Sequence, residues 1–402
     1  MSDTLADPVY APQAPATIWN KSFFILFFAN MAFNLGMNMS NSLIAIYANH
    51  LGAPASIIGL VASSFAISSI LFRFVSAPIM DTYNRKYLVV FAALMLAVAF
   101  GGFSIATNIP TILGFRMVQG CGMAFGNACC LVMVADMLPK DKYNSGLGYY
   151  SLAQVICGAI GPSVGLELVD RFGFQVTYTI TACIMLLAAF LICLLKTNFK
   201  RTKKLKLTFN NIIAKETFLP VGVNFIMMLG GGGIGSFLFI YAREQGVTGN
   251  IGLYFTVSAV TMLLTRPFMG KLTDKFGIVV MAIPAVIGSV TSMIIISNAT
   301  TLTAFLIASG ISAFGGGALH PAIQALTMKS VTNDRRGAAS STNYIGMDLG
   351  QLLGPVIAGQ LAQAFGYAMM WRLLIVFPII STLTLFCFRK KIVRIEEEFA
   401  AR

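Results

Sequence analysis

The residues of this chain that could do chemistry are few, and most stand inside long apolar runs. Asp348 lies roughly eleven residues into the run 337–365, about 17 Å from its start at 1.5 Å per helical residue. A lone carboxylate anion is costly at that depth, which suits an acid that takes up and releases a proton. The other reading is a structural Asp bonded to a nearby helix, with Asn343 or Tyr344 as candidate partners. His320 is the second titratable candidate, because imidazole titrates near neutral pH. Arg116 and Gln119 stand one turn apart, where the guanidinium either faces a cavity or snorkels to the interface. Asn30, Asn34, Asn38 and Asn41 share one helical face, which lines a water-filled cavity or bonds to an adjacent helix. Asn127, Tyr150, Gln154, Asn224 and Gln324 complete a polar set able to contact a small molecule.

Other chemistries lack their residues. No Gly-x-x-x-x-Gly-Lys-Ser/Thr loop is present to cradle a nucleotide. Cys129 and Cys130 have no His or acid at ligand spacing, so packing is the better reading. Neither a metal, a cofactor nor an enzymatic activity is expected. Gly230–Gly233 falls at membrane depth, where a hinge or close-packing site is the expectation.

The elements that carry these residues follow from composition. The chain has 402 residues, 57% hydrophobic and only 11% charged, whereas soluble domains carry about 25% charged residues. Its natural solvent is a bilayer, which a helix of ~20 apolar residues can cross. Twelve such runs are predicted: Ser22–Ala48, Ile57–Met80, Tyr87–Ala106, Thr111–Leu138, Ser145–Leu168, Phe174–Leu195, Thr217–Ala242, Gly249–Thr273, Val279–Asn298, Leu302–Thr327, Gly337–Phe365 and Met370–Phe388. They divide the chain into a polar tail (1–20), a six-helix bundle (21–195), a basic linker (196–216), a second bundle (217–388) and a tail (389–402). The first twenty residues lack the pattern of a cleaved signal peptide. Lys and Arg gather in alternate loops and the C-terminal tail, which predicts cytoplasmic termini in a multi-pass protein of the cell membrane. The net charge of +13 is thus a topology signal and a contact with anionic lipid, not a nucleic-acid footprint.

The two bundles are copies. Adding 193 carries Arg73 to Arg266, Asp81 to Asp274, Gly161-Pro162 to Gly354-Pro355 and Phe172-Gly173 to Phe365-Gly366. A one-residue slip then aligns Ile46-Tyr47-Ala48 with Ile240-Tyr241-Ala242. Two parallel six-helix repeats are the plan of transporters that bind substrate between the halves near the midplane.

Asp81, Arg85 and Lys86, with Gly270, Leu272, Asp274 and Gly277 in the second copy, resemble the loop motif of the major facilitator superfamily. The likeness covers nearly the whole chain and implies an all-α membrane fold of twelve helices in two repeats. By that resemblance Asp81, Arg85 and Asp136, with Asp274 in the second half, form a cytoplasmic latch, and the stretch Arg73–Lys86 belongs to it. Arg116-x-x-Gln119-Gly120 resembles the family's proton-coupling motif. Gly161-Pro162 with Gly165 resembles the Gly-Pro motif of its antiporters; the repeat at Gly354-Pro355 also fits a structural hinge. Since helices 1, 4, 7 and 10 line the family's cavity, the asparagine stripe is expected to face it. The resemblance implies a monomeric, proton-coupled exporter of small amphipathic compounds. An importer or exchanger of a polar metabolite or organic acid is the alternative, and a membrane receptor or scaffold a remote one.

Overall fold

The computed structural model describes residues 20–137, 143–195, 213–316, 319–332 and 335–400. Among them every regular element is helical, as lipid demands of a backbone that must satisfy its own hydrogen bonds. The membrane-length rods are α1 (Lys21–His50), α2 (Ala55–Ser63, continued past Ser64 as Phe65–Thr82), α3 (Arg85–Ile105) and α4 (Ile109–Met137). Then come α5 and α6, the two arms of Tyr143–Cys193 parted at Gly173. The second half holds α7 (Phe218–Glu244), α8 (Leu253–Phe276), α9 (Ile278–Asn298) and α10 (Leu302–Gly316 and Leu319–Lys329). It ends with α11 (Arg336–Phe365) and α12 (Tyr367–Leu374 and Val376–Cys387). Each of the twelve predicted runs falls on one rod. A further helix, α13 (Arg389–Ala400), packs Ile392 and Ile395 against the α10 end and leaves Arg389, Lys390 and Lys391 exposed.

By length and hydropathy alone, eight stretches qualify as membrane spans, one of them containing both α5 and α6.

The duplication is visible in backbone detail. Gly173 and Gly366, 193 apart, have φ of +78° and +79° and let one rod turn into the next without a loop. The Tyr47 hydroxyl donates to Ala106 O, and the Tyr241 hydroxyl donates to Ser297 O at 2.9 Å. Each tyrosine thereby ties the first rod of its half to the end of the third.

The halves meet on the face opposite the termini. A Cβ on Gly59 of α2 would lie 2.2 Å from Pro355 O of α11, so no side chain fits there. The symmetric contact sets Gly252 of α8 against Ser163 of α5, where a Cβ would lie 2.5 Å from Cα. Around them Ser56 N donates to Gln363 Oε1 (3.2 Å), Asn250 Nδ2 to Ser163 O (3.0 Å) and Thr256 Oγ1 to Ala159 O (2.6 Å). Arg243 pairs with Asp170 at the rim. Hydrogen bonds and an ion pair thus seal this end of the seam.

A valine at Gly59 should therefore hold this seal apart without unfolding either half. A Ser56→Cys, Gln363→Cys pair is expected to cross-link readily, and adding Gly59→Val should slow the cross-link about tenfold or more. An unchanged rate would mean that the glycine contact does not set the approach of the halves.

Candidate functional site

An ion pair joins the halves away from the sealed rim. Arg73 of α2 pairs through Nε with the Asp348 carboxylate of α11, while its Nη2 donates to the other oxygen at 3.3 Å. Ser69 Oγ, one turn earlier on α2, donates to the same carboxylate at 3.5 Å. The Tyr344 ring lies 5.0 Å from the guanidinium carbon and covers its face. The carboxylate is 4% exposed and Arg73 20% exposed, so the pair is largely withdrawn from solvent. The carboxylate is thus bonded to a nearby helix, through Arg73 and Ser69 and not through Asn343 or Tyr344. Arg73 is also displaced from its expected place in the cytoplasmic latch. Eight residues before Asp81 is more than two helical turns, about 12 Å, and that rise carries Arg73 away from the loop to the depth of the acid. The signal was available: a mid-helix Arg needs a carboxylate at matching depth. The pair has no twin, because the repeat puts Val155 of α5 where α11 has Asp348.

Arg116 is 1% exposed and neither lines an open cavity nor snorkels. Its Nε donates to Val61 O at 2.9 Å and its Nη2 to Ala62 O, the carbonyls beside the Ser64 interruption of α2. Its Nη1 donates to Gln119 Oε1 (2.8 Å) and Asn41 Oδ1 (3.2 Å), and Gln119 Nε2 donates to Asn41 Oδ1 at 3.0 Å. The guanidinium sits 4.6 Å from the Phe65 ring centre. Helix carbonyls thus do the work of a carboxylate for this cation. In the second copy, the residue 193 positions on is Ser309, whose Oγ donates at 2.6 Å to Tyr254 O, the counterpart of Val61 O.

The asparagine stripe of α1 is mostly turned inward. Asn34 Nδ2 donates to Asn30 Oδ1 (2.7 Å) and Asn30 O (2.8 Å), Asn38 Nδ2 donates to Asn34 O (2.8 Å), and Asn30 Nδ2 reaches Tyr150 O of α5 at 3.4 Å. Asn30, Asn34 and Tyr150 are buried, Asn38 and Asn41 half-buried, and Gln154 exposed. Gly161 and Gly165 of α5 pack on Asn38, Met39 and Leu43, with Pro162 between them. Gly354 packs on Gly232 of α7 while Pro355 meets Gly59, so both Gly-Pro pairs stand at close helix crossings.

In the second half His320, Gln324 and Asn224 come together with Asn343. Asn224 Nδ2 donates to Asn343 Oδ1 at 3.1 Å, leaving its Oδ1 to accept from His320 Nδ1 at 3.0 Å. His320 Nε2 lies 3.3 Å from Gln324 Nε2, which ties the ring to both amides. Because Asn343 and Asp348 share α11, one rod touches both titratable candidates. The side chains of Asp81, Asn127, Asp136 and Asp274 lie outside the described residues, which leaves the latch without a structural account; Arg85 is half-buried at the start of α3.

Two six-helix repeats closing around polar and ionic groups at membrane depth define a transporter architecture. The Major Facilitator Superfamily family model matches residues 26–220 and 220–399, and the chain belongs to that superfamily as a multi-pass membrane protein. It is 27% identical over 369 residues to the multi-drug resistance efflux pump PmrA of Streptococcus pneumoniae, covering 87% of this chain and 91% of that one. It is 27% identical over 383 residues to the multidrug resistance protein MdtG of Enterobacter lignolyticus, covering 89% and 90%. The crystal structure of a POT family transporter in complex with 5-aminolevulinic acid shares the fold, with a TM-score of 0.76 at 14% identity over 92% of this chain and 96% of that one.

The Arg116 fork yields a stability prediction. Hydrogen bonds to a charged group contribute about 1.5–3 kcal/mol each, and lysine cannot reproduce a planar fork. Arg116→Lys and Arg116→Met should both destabilise the detergent-solubilised protein, by roughly 3 kcal/mol or more, visible as a lower Tm. A lysine variant that melts like the wild type would show that charge alone suffices.

Proposed function

We propose that the chain is a proton-coupled antiporter that exports small amphipathic compounds by alternating access, working as a monomer with both termini in the cytoplasm. The observation that carries the reading is the Arg73–Asp348 pair, which joins the two halves and is largely withdrawn from solvent. In this orientation the sealed end is external. Protonation of Asp348 removes the counter-charge of Arg73 and leaves the guanidinium with only the Tyr344 face. Removing one partner of a buried pair costs about 3–5 kcal/mol, and the partial exposure of Arg73 places this pair near the lower bound. About 3 kcal/mol corresponds to roughly a hundredfold change in the balance between states. A proton arriving from outside thus loosens the α2–α11 contact, and its release inward restores it. Arg116 supports coupling indirectly by fixing the interrupted part of α2 that precedes Ser69 and Arg73.

The names of the relatives, multidrug pumps of similar length, support export of varied small molecules. An organic-acid importer needs a free cation deep in the molecule, whereas Arg116 has four N–H groups committed to α1, α2 and α4. That observation favours the amphipathic-substrate reading.

In proteoliposomes an imposed pH gradient should accelerate flux of a transported dye such as ethidium by about tenfold or more. Asp348→Asn should give the same slow flux with and without the gradient, while ethidium still binds. Full gradient-driven transport by Asp348→Asn would falsify the role given to this acid.

A further inference from the structure

The second half contains a cavity of about 220 Å³ lined by α7, α8, α9, α10 and α12. Its exposure runs in one direction. Gly231 of α7 is exposed and Ser258 of α8 and Ser312 of α10 are half-buried, whereas Ser292 of α9 and Ser381 and Thr382 of α12 are buried. The mouth therefore opens among α7, α8 and α10, and the floor rests on the outer rods α9 and α12.

The internal duplication explains why space exists here. The positions 193 residues earlier replace Ser258 by Phe65, Ser289 by Leu96, Ser312 by Gln119, Gly316 by Met123 and Pro378 by Met185. Phe65, Leu96, Gln119 and Met185 are buried, so the first half fills with side chains the volume that the second leaves open. The floor changes the other way: Ala99 and Ala188 stand where the second half has Ser292 and Ser381, so hydroxyls are added to the void. Met262, in place of Ser69, adds a flexible thioether beside Met293.

From this contrast we infer that the second half carries a ligand pocket for an uncharged, compact group bearing a hydroxyl or amide, such as a substituted aromatic ring. The inference rests on the transport reading above, as the part of the substrate path that selects for neutral polarity. Hydroxyls on four different rods can each donate or accept, so they suit a ligand whose polar group varies. Methionine side chains adapt to irregular apolar shapes and favour aromatic rings. No charged side chain lines the cavity among the described residues, so a charged group entering it would lose its hydration without compensation.

The test uses the full chain in nanodiscs and the photoreactive neutral probe para-benzoylbenzyl alcohol, whose benzophenone inserts preferentially at methionine. Label is expected at Met262 or Met293, mapped by mass spectrometry. Ser289→Leu and Ser258→Phe each install the residue that the first half has at that position. Both should lower the labelling about tenfold while leaving the melting temperature within a few degrees of wild type. The anionic analogue para-benzoylbenzoate should label these methionines at least tenfold less than the alcohol. A third variant, Ser381→Ala, removes a floor hydroxyl at nearly constant volume, and is expected to weaken labelling if either larger substitution disturbs folding. Undiminished labelling in every folded variant, or equal labelling by the anion, would overturn the proposal. Labelling needs no gradient: a pocket that behaves as expected in a protein with no flux would refute the transport reading and leave the pocket standing.

Discussion

A protein dissolved in lipid must answer each buried polar group from its own chain. That constraint organises this molecule more than any single contact. It makes the described elements helical, and it makes each charge at membrane depth recruit partners from other rods. Arg73 finds a carboxylate across the seam. Arg116 finds none and takes carbonyls from the interruption in α2 instead. The asparagines of α1 answer one another down the helix. Three solutions to one problem thus fix three features: the joint between halves, the shape of α2 and the seating of α1 on α5.

The duplication lets these solutions be compared against an internal reference. The carbonyls of Val61 and Tyr254 occupy equivalent places, yet one receives a guanidinium and the other a serine hydroxyl. The backbone geometry is shared and the side-chain chemistry is not. The same divergence leaves the first half filled around Leu96 and the second open around Ser289. The first half is clamped from within at Arg116, and the second has room around Ser289.

Much of the architecture was legible in sequence, for physical reasons. Long apolar runs have one stable form in lipid, and the repeat of Gly-Pro and Phe-Gly pairs announced two copies before any coordinates. The site was harder to read. Arg73 lies close in sequence to Asp81, Arg85 and Lys86, and proximity along the chain made it look like part of the loop. Helical rise separates them by more than two turns. The spacing of the asparagines does not tell contacts with water from their actual partners, which are carbonyls one turn back for Asn34 and Asn38 and groups on α4 and α5 for Asn41 and Asn30. The cavity around Ser289 leaves no motif at all. It becomes visible only when each residue is set beside its repeat partner.

The ion pair at the α2–α11 seam has Val155 where its twin would be on α5. The two seams that close the far face are therefore built alike in glycine and backbone contact but differ in their ion pairs. One seam carries a carboxylate withdrawn from solvent, while the ion pair of its mirror, Arg243–Asp170, lies exposed at the rim. Two contacts alike in shape therefore differ in dielectric: the first pair is felt at nearly full strength, and the second is screened by water.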